Sequence, residues 1–180
     1  MKIKRNALIA SAAVAATAMV TSVLPANAAG VDIRIGTVQP MSGAGFAAYG
    51  TGLANAAAFG VKTVSDAMAA SGVAGSCKLV SSEDSVSDAP AVAIEGATKL
   101  VKSDKVNFIV GSLTSGASLG IAQSVTIPAG VITIASAASS PALTTVADND
   151  TLFRTYPSDL LQAQALARQT QYPSSPRQHV

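Results

Sequence analysis

The sequence is short of the residues on which most enzyme and metal chemistry depends. Its 180 residues include one histidine, His179, one cysteine, Cys77, and no tryptophan, and aromatic side chains make up only 4% of the chain. A single histidine one residue from the C-terminus leaves no Ser-His-Asp triad to assemble. One Cys and one His far apart supply no zinc or copper site of the usual kind. A lone thiol also excludes an intramolecular disulfide, so the fold must rest on packing. Cys77 lies in the apolar run Cys77-Lys78-Leu79-Val80, the setting of a buried structural thiol rather than a reactive one.

What stands first in the chain is an export address. Lys2, Lys4 and Arg5 precede an apolar run from Ala7 to Leu24, followed by Pro25 and the small-x-small site Ala26-Asn27-Ala28. That order is the order of a secretory signal peptide cleaved after Ala28, which places the mature protein outside the cytoplasm, in the periplasm. A membrane anchor ranks second, because the run is mostly weakly apolar Ala, Ser and Thr and meets a helix breaker rather than stop-transfer charges. No Cys sits at the cleavage point to take a lipid. Removal of residues 1–28 leaves 152 residues with nine basic and ten acidic side chains, a formal charge of −1. The basicity of the full chain therefore belongs to its address and argues for neither nucleic acid nor an anionic membrane as partner. A chain of this length accommodates one core and one domain, read as residues 29–168, with a disordered tail over 169–180 that is rich in Pro, Ser and Gln.

The mature part alternates short β-branched runs with Ala-rich segments of helical period, the pattern of an α/β fold: three layers, a mostly parallel sheet with flanking helices. Strands are predicted at Ile33 to Val38, Lys78 to Ser82, Val106 to Val110, Val131 to Ala135 and Leu152 to Thr155. A first helix carries the stripe Leu53, Ala57, Val61, Val64 and Met68 toward the sheet. A second begins near Asp88 with Pro90 in its first turn, buries Val92, Ala93, Ala97, Leu100 and Val101, and sets Glu95 four residues before Lys99 outside. A third starts at Ser115 or Gly116 and runs to about Ile127, and a last one runs from Ser158-Asp159 to about Arg168.

Gly43-Ala44-Gly45-Phe46-Ala47-Ala48 fits G-x-G-x-x-A between the first strand and its helix, where a dinucleotide fingerprint belongs. Four residues separate strand from glycine, and the acids Glu83 and Asp84 come about 38 residues after Gly45 rather than about 20. Export also removes the chain from redox dinucleotides, so a plain flexible loop is the preferred reading and no cofactor is called for. Glu83-Asp84 and Asp148-Asp150 read as solvated loop charge rather than as a cation site. More informative are the small and hydroxyl residues at the carboxyl ends of the third and fourth strands, Gly111-Ser112-Leu113-Thr114-Ser115-Gly116 and Ser136-Ala137-Ala138-Ser139-Ser140. Open α/β sheets place their ligand crevice there. Ser115 alone reads as a helix cap, but two such loops converging make a small-anion site.

Taken in order, Ile33-Arg34-Ile35-Gly36, Pro40-Met41-Ser42-Gly43, Tyr49-Gly50, Glu83-Asp84, Ala91 to Val101, Val110-Gly111-Ser112, Ser139-Ser140-Pro141-Ala142-Leu143-Thr144 and Phe153-Arg154-Thr155 resemble the type I periplasmic solute-binding proteins of ABC transporters. The resemblance is to the leucine/isoleucine/valine-binding branch and covers about residues 31–168. It implies the first lobe of a two-lobed clamp that presents a small amino acid or related amide to an ABC permease in the inner membrane, without chemistry. It also implies that the ligand carboxylate is held at Ser115, Ala137 and Ser139, and that Tyr49 lines the side-chain pocket, although the loop before Tyr49 is one residue longer. Ser139 replaces the usual Thr and keeps its hydroxyl. Thr114 stands where some relatives have a disulfide cysteine. The family's second lobe would follow Arg168, so the resemblance further implies a truncated or frameshifted frame or a fragment, whose single lobe binds weakly. A ligand-sensing receptor lobe is the runner-up, and a dinucleotide-dependent oxidoreductase comes third.

Overall fold

The computed structural model describes residues 30–171, and the signal segment with its Ala28 site, like the tail beyond 171, lies outside the described residues. Five strands, β1 (Val31–Gln39), β2 (Gly75–Asp84), β3 (Phe108–Gly111), β4 (Ile132–Ala135) and β5 (Leu152–Arg154), form one sheet in the order β2-β1-β3-β4-β5. Every neighbouring pair is parallel. The sheet is continuous apart from one extra residue, Val80, where β2 bulges opposite Ile35 and Gly36. All five predicted strands are present, each within three residues of its expected ends.

Parallel neighbours need a crossover, and crossovers are right-handed. Helix α1 (Ala47–Ala70) carries the chain from β1 to β2 on one side, while α2 (Pro90–Lys102) carries it back past β1 to β3 on the other. The two helices therefore cover opposite faces. Helix α3 (Ser115–Ile121) packs beside α2. It passes into a π-helical turn at Ala122–Thr126 and ends in α4 (Ile127–Ala129), where Gly130 adopts the left-handed conformation that closes helices. Between the sheet and this pair lies the main core, with Val38, Ala93, Ala97, Leu100, Ile109, Ala117, Ile121 and Val125 all buried. A smaller cluster of Ala122, Ala135, Ala138, Leu143 and Leu152 sits under α5 (Ala142–Thr145). Cys77 is a free, buried thiol, as its apolar strand foretold.

Three helical expectations are corrected. The buried residues of α1 are Gly50, Ala54 and Val61, while Val64 is 45% exposed. Small residues let the helix lie closer to the sheet on a line rotated away from Val64. Lys99 pairs with Glu83 at 2.7 Å and Asp104 at 2.9 Å, not with Glu95, because the β2 terminus and the α2–β3 turn lie on its side of the helix. Helix α6 (Asp159–Gln171) runs three residues past its predicted end at Arg168.

Close approach at one point fixes where α1 begins. A Cβ on Gly50 would lie 2.0 Å from the carbonyl oxygen of Pro40, whereas one on Gly52 would meet nothing within 4 Å. Gly50→Ala is therefore expected to lower stability by about 1–3 kcal/mol through overpacking. Gly52→Ala is expected to raise it by about 0.5–1 kcal/mol through helix propensity. Urea denaturation of the two variants checks the opposite signs.

Candidate functional site

The strand order reverses at β1, so the carboxyl ends of β1 and β3 diverge and leave a crevice between the loops that follow them. A belt of hydrogen bonds crosses the floor. Gln39, fully buried, donates from Nε2 to Ser136 Oγ at 3.0 Å, and Ser136 Oγ donates to the Ser112 carbonyl at 3.2 Å. These bonds fasten the ends of β1, β3 and β4 to one another, and they satisfy groups that burial would otherwise penalise.

The loop from β3 to α3 is held from beneath by Asp88, which is only 4% exposed. Its Oδ1 accepts from Ser85 Oγ at 2.8 Å and from Ser112 Oγ, and its Oδ2 accepts from the Thr114 backbone N–H at 2.5 Å. Ser118 Oγ reinforces the same loop by donating to the Thr114 carbonyl at 2.8 Å. The cap of α3 is Thr114, whose Oγ1 accepts from Ala117 N, and not Ser115 as the sequence suggested. Ser115 is thereby free for another task. Its Oγ accepts from the Ser140 backbone N–H at 3.1 Å, and this bond brings the two predicted loops into contact.

The loop after β4 is gripped at both ends. Arg154 Nη1 donates to the Ser140 carbonyl at 2.8 Å, the Asp159 N–H to the Ser139 carbonyl at 2.9 Å, and Thr155 Oγ1 to the Ser136 carbonyl at 2.7 Å. Among the described residues, the Ser139 hydroxyl and the backbone N–H groups of Ser115, Gly116, Ala137 and Ser139 make no hydrogen bond. All of them lie on the two loops that the Ser115–Ser140 bond joins. Tyr49 is the third residue of α1, 68% exposed and without a hydrogen bond to Ser115, Ala137 or Ser139. A separate open cleft of about 270 Å³ lies beside β5, lined by Leu143, Thr144, Asp148, Leu152, Phe153 and Arg154. The Arg154 guanidinium is already engaged there by Ser140 and Thr144.

The glycine loop after β1 is not the plain flexible loop expected. Asp84 Oδ1 accepts from the N–H groups of Met41, Ser42 and Val86 at 2.9, 3.1 and 2.9 Å, and the Ser87 N–H donates to the Ser42 carbonyl at 2.9 Å. Gly43, at φ +83°, has no room for a Cβ beside Ser87 Oγ. Three of the acids read as solvated charge are thus engaged, Glu83 by Lys99, Asp84 by backbone and Asp148 by the Leu152 N–H at 2.9 Å, while Asp150 is exposed as expected. Among the described residues no group of three or more His, Cys, Asp or Glu is placed to hold a metal ion. Residues Val86, Ser87 and Asp88 all take positive φ, at 39°, 55° and 57°. Such a left-handed run of side-chain-bearing residues costs on the order of 1–3 kcal/mol each. Sequence reasoning missed Asp88 as a site residue, because its partners Ser112 and Thr114 lie 24 and 26 positions away.

A parallel sheet in the order β2-β1-β3-β4-β5, with helices on its faces and hydroxyl-rich loops joined after β3 and β4, defines a class, the open α/β fold. The chain belongs to the periplasmic binding protein family, whose model matches residues 32–172. Among solved structures, it is 31% identical to the branched-chain amino acid transporter substrate binding protein LivJ from Streptococcus pneumoniae, in complex with isoleucine. That match has a TM-score of 0.57 and covers 72% of this chain and 35% of the other. A solute binding protein of an ABC transporter from Rhodopseudomonas palustris, in complex with 3,4-dihydroxybenzoic acid, is 27% identical with a TM-score of 0.58, over 71% of this chain and 32% of that one. The leucine binding protein LivK from Thermotoga maritima shares the fold at 23% identity and a TM-score of 0.61, over 78% and 37%. The chain thus spans about a third of the length of these proteins. No curated protein matches the sequence.

Burial by itself lifts the Asp84 pKa, but the Ser42 hydroxyl and the N–H groups of Val86, Ser42 and Met41 outweigh it and hold the carboxyl below its ordinary 3.8. A carboxylate lowered in the folded state contributes stability that is present above the unfolded value and is lost as pH falls through the folded one. Asp84→Ala is expected to destabilise the chain by about 1 kcal/mol at pH 7, a modest figure because Asp84 is partly solvated. The difference should shrink below pH 4, as urea denaturation at pH 7 and pH 3 would show.

Proposed function

We propose that the chain is the ligand-binding lobe of an exported solute-binding protein of an ABC importer, released by cleavage after Ala28 and acting in the periplasm with a permease of the inner membrane. The 1–28, 29–168 and 169–180 division of the sequence belongs to this reading, with the lobe's last helix extended to Gln171. Its ligand is a small solute carrying a carboxylate, a branched-chain or other hydrophobic amino acid, or a related amide. The observation that carries the proposal is the Ser115–Ser140 bond, which sets the two loops side by side while Ser139 Oγ and the N–H groups of Ser115, Gly116, Ala137 and Ser139 stay available. A carboxylate has up to four acceptor positions and would take up those donors through charge-assisted bonds. Tyr49, on the exposed start of α1, would line the ligand's side chain. No helix among the described residues is long and apolar enough to cross a membrane.

The Rhodopseudomonas palustris protein solved with 3,4-dihydroxybenzoic acid supports a second occupant, an aromatic carboxylate on the same donors. Calorimetric titration of the mature chain with isoleucine, leucine, acetamide and 3,4-dihydroxybenzoate ranks these classes. Ser139→Ala is expected to weaken binding of the preferred carboxylate by about 1–3 kcal/mol, the loss of one hydrogen bond to a charged group, or roughly 5- to 150-fold. Unchanged affinity in this variant, or no response to any of the four ligands, would refute the assignment.

A further inference from the structure

The connection from β2 to α2 is hydrogen-bonded to the loops after both β1 and β3, the two walls of the crevice. Asp84 takes the N–H groups of Met41 and Ser42 on the β1 side, and Ser87 donates to the Ser42 carbonyl. Four residues after Asp84, across the left-handed run Val86-Ser87-Asp88, the second carboxylate takes Ser112 Oγ and the Thr114 N–H on the β3 side. A strained backbone persists only where its surroundings over-determine it, and strain of this kind gathers at working sites. Here the strain turns the Asp88 carboxylate beneath the β3–α3 loop, where it is buried without a cationic partner among the described residues. A buried carboxylate of this sort is stable only while its donors hold their places, so the dependence runs both ways.

We propose that Asp88 is the positioning residue of the crevice: without touching ligand, it holds Ser112 and Thr114 so that Ser115 and the first N–H groups of α3 face the β4 loop. The assignment of a ligand to that crevice is the reading given above, and this inference rests on it for its functional meaning. The chemistry of the side chain separates position from charge. In Asp88→Asn the carboxamide oxygen can face the Thr114 N–H while its NH₂ donates to the Ser85 and Ser112 hydroxyls, which reorient to accept. Asp88→Ala removes all three bonds.

The experiment is hydrogen exchange on the ligand-free full-length chain, followed by isoleucine titration of the same variants. Asp88→Ala should speed exchange over residues 111–118 at least tenfold while leaving residues 54–70 of α1 unchanged, and Asp88→Asn should change it less than threefold. Ser115→Ala should weaken isoleucine binding fivefold or more in the parent chain but less than twofold in the Asp88→Ala background, because a mispositioned Ser115 has nothing left to lose. If Asp88→Ala does not fold, Ser112→Ala takes its place, since it removes one donor and leaves the carboxylate. Unaltered exchange at 111–118, uniform loosening of the whole chain, or equal Ser115→Ala effects in both backgrounds would overturn the inference. Failure of the parent chain to bind isoleucine or any other carboxylate would instead remove the functional proposal, and the exchange data would still decide whether Asp88 orders the loop.

Discussion

The crossovers β1–α1–β2 and β2–α2–β3 are both right-handed and run in opposite directions along the sheet, and most of the local chemistry answers to that constraint. Once α1 and α2 must lie on opposite faces, the loops after β1 and β3 diverge, and the gap between them exposes strand ends whose polar groups need partners. Gln39, Ser112 and Ser136 meet that need with one another. Small residues answer the same constraint from the packing side. Gly50 lets α1 start against Pro40, and Ala93 and Ala97 let α2 lie close to the sheet.

Charge is used in a related way. With few ionisable residues available, the chain spends Asp84, Asp88, Asp148 and Arg154 on backbone groups of loops rather than on surface pairs. Each of these bonds joins a charged group to a neutral one and is stronger than a neutral pair. The loops after β1, β3 and β4 are therefore fixed largely by charged side chains from neighbouring elements.

Much of the architecture was legible in the sequence because burial writes period into it. Ile33 to Val38 and Val131 to Ala135 read as strands, and the α2 positions Ala93, Ala97 and Leu100 read as an inward face, since each pattern follows from which side meets the core. The convergence of the β3 and β4 loops was also legible, through the rule for open parallel sheets. Boundaries were less so: Thr114 rather than Ser115 caps α3, a shift of one residue between two hydroxyls that sequence cannot rank. Val64 was misplaced because Gly50 and Ala54, too small to register as a stripe, set the buried line of α1. Asp88 was read as a helix start because its meaning lies in partners that only the β2–α2–β3 crossover brings near.

The bulge at Val80 bears on the outer margin of the sheet. Strand β2 is ten residues long and lies at one end of the strand order, where a straight run of unpaired N–H and C=O groups would template the growth of ribbons from chain to chain. The inserted residue twists that margin partway along its length, and exposed Lys78 places a charge beside it. The opposite margin, β5, has only three residues and offers little to extend. Both flanks of the sheet are thereby made poor seeds for aggregation.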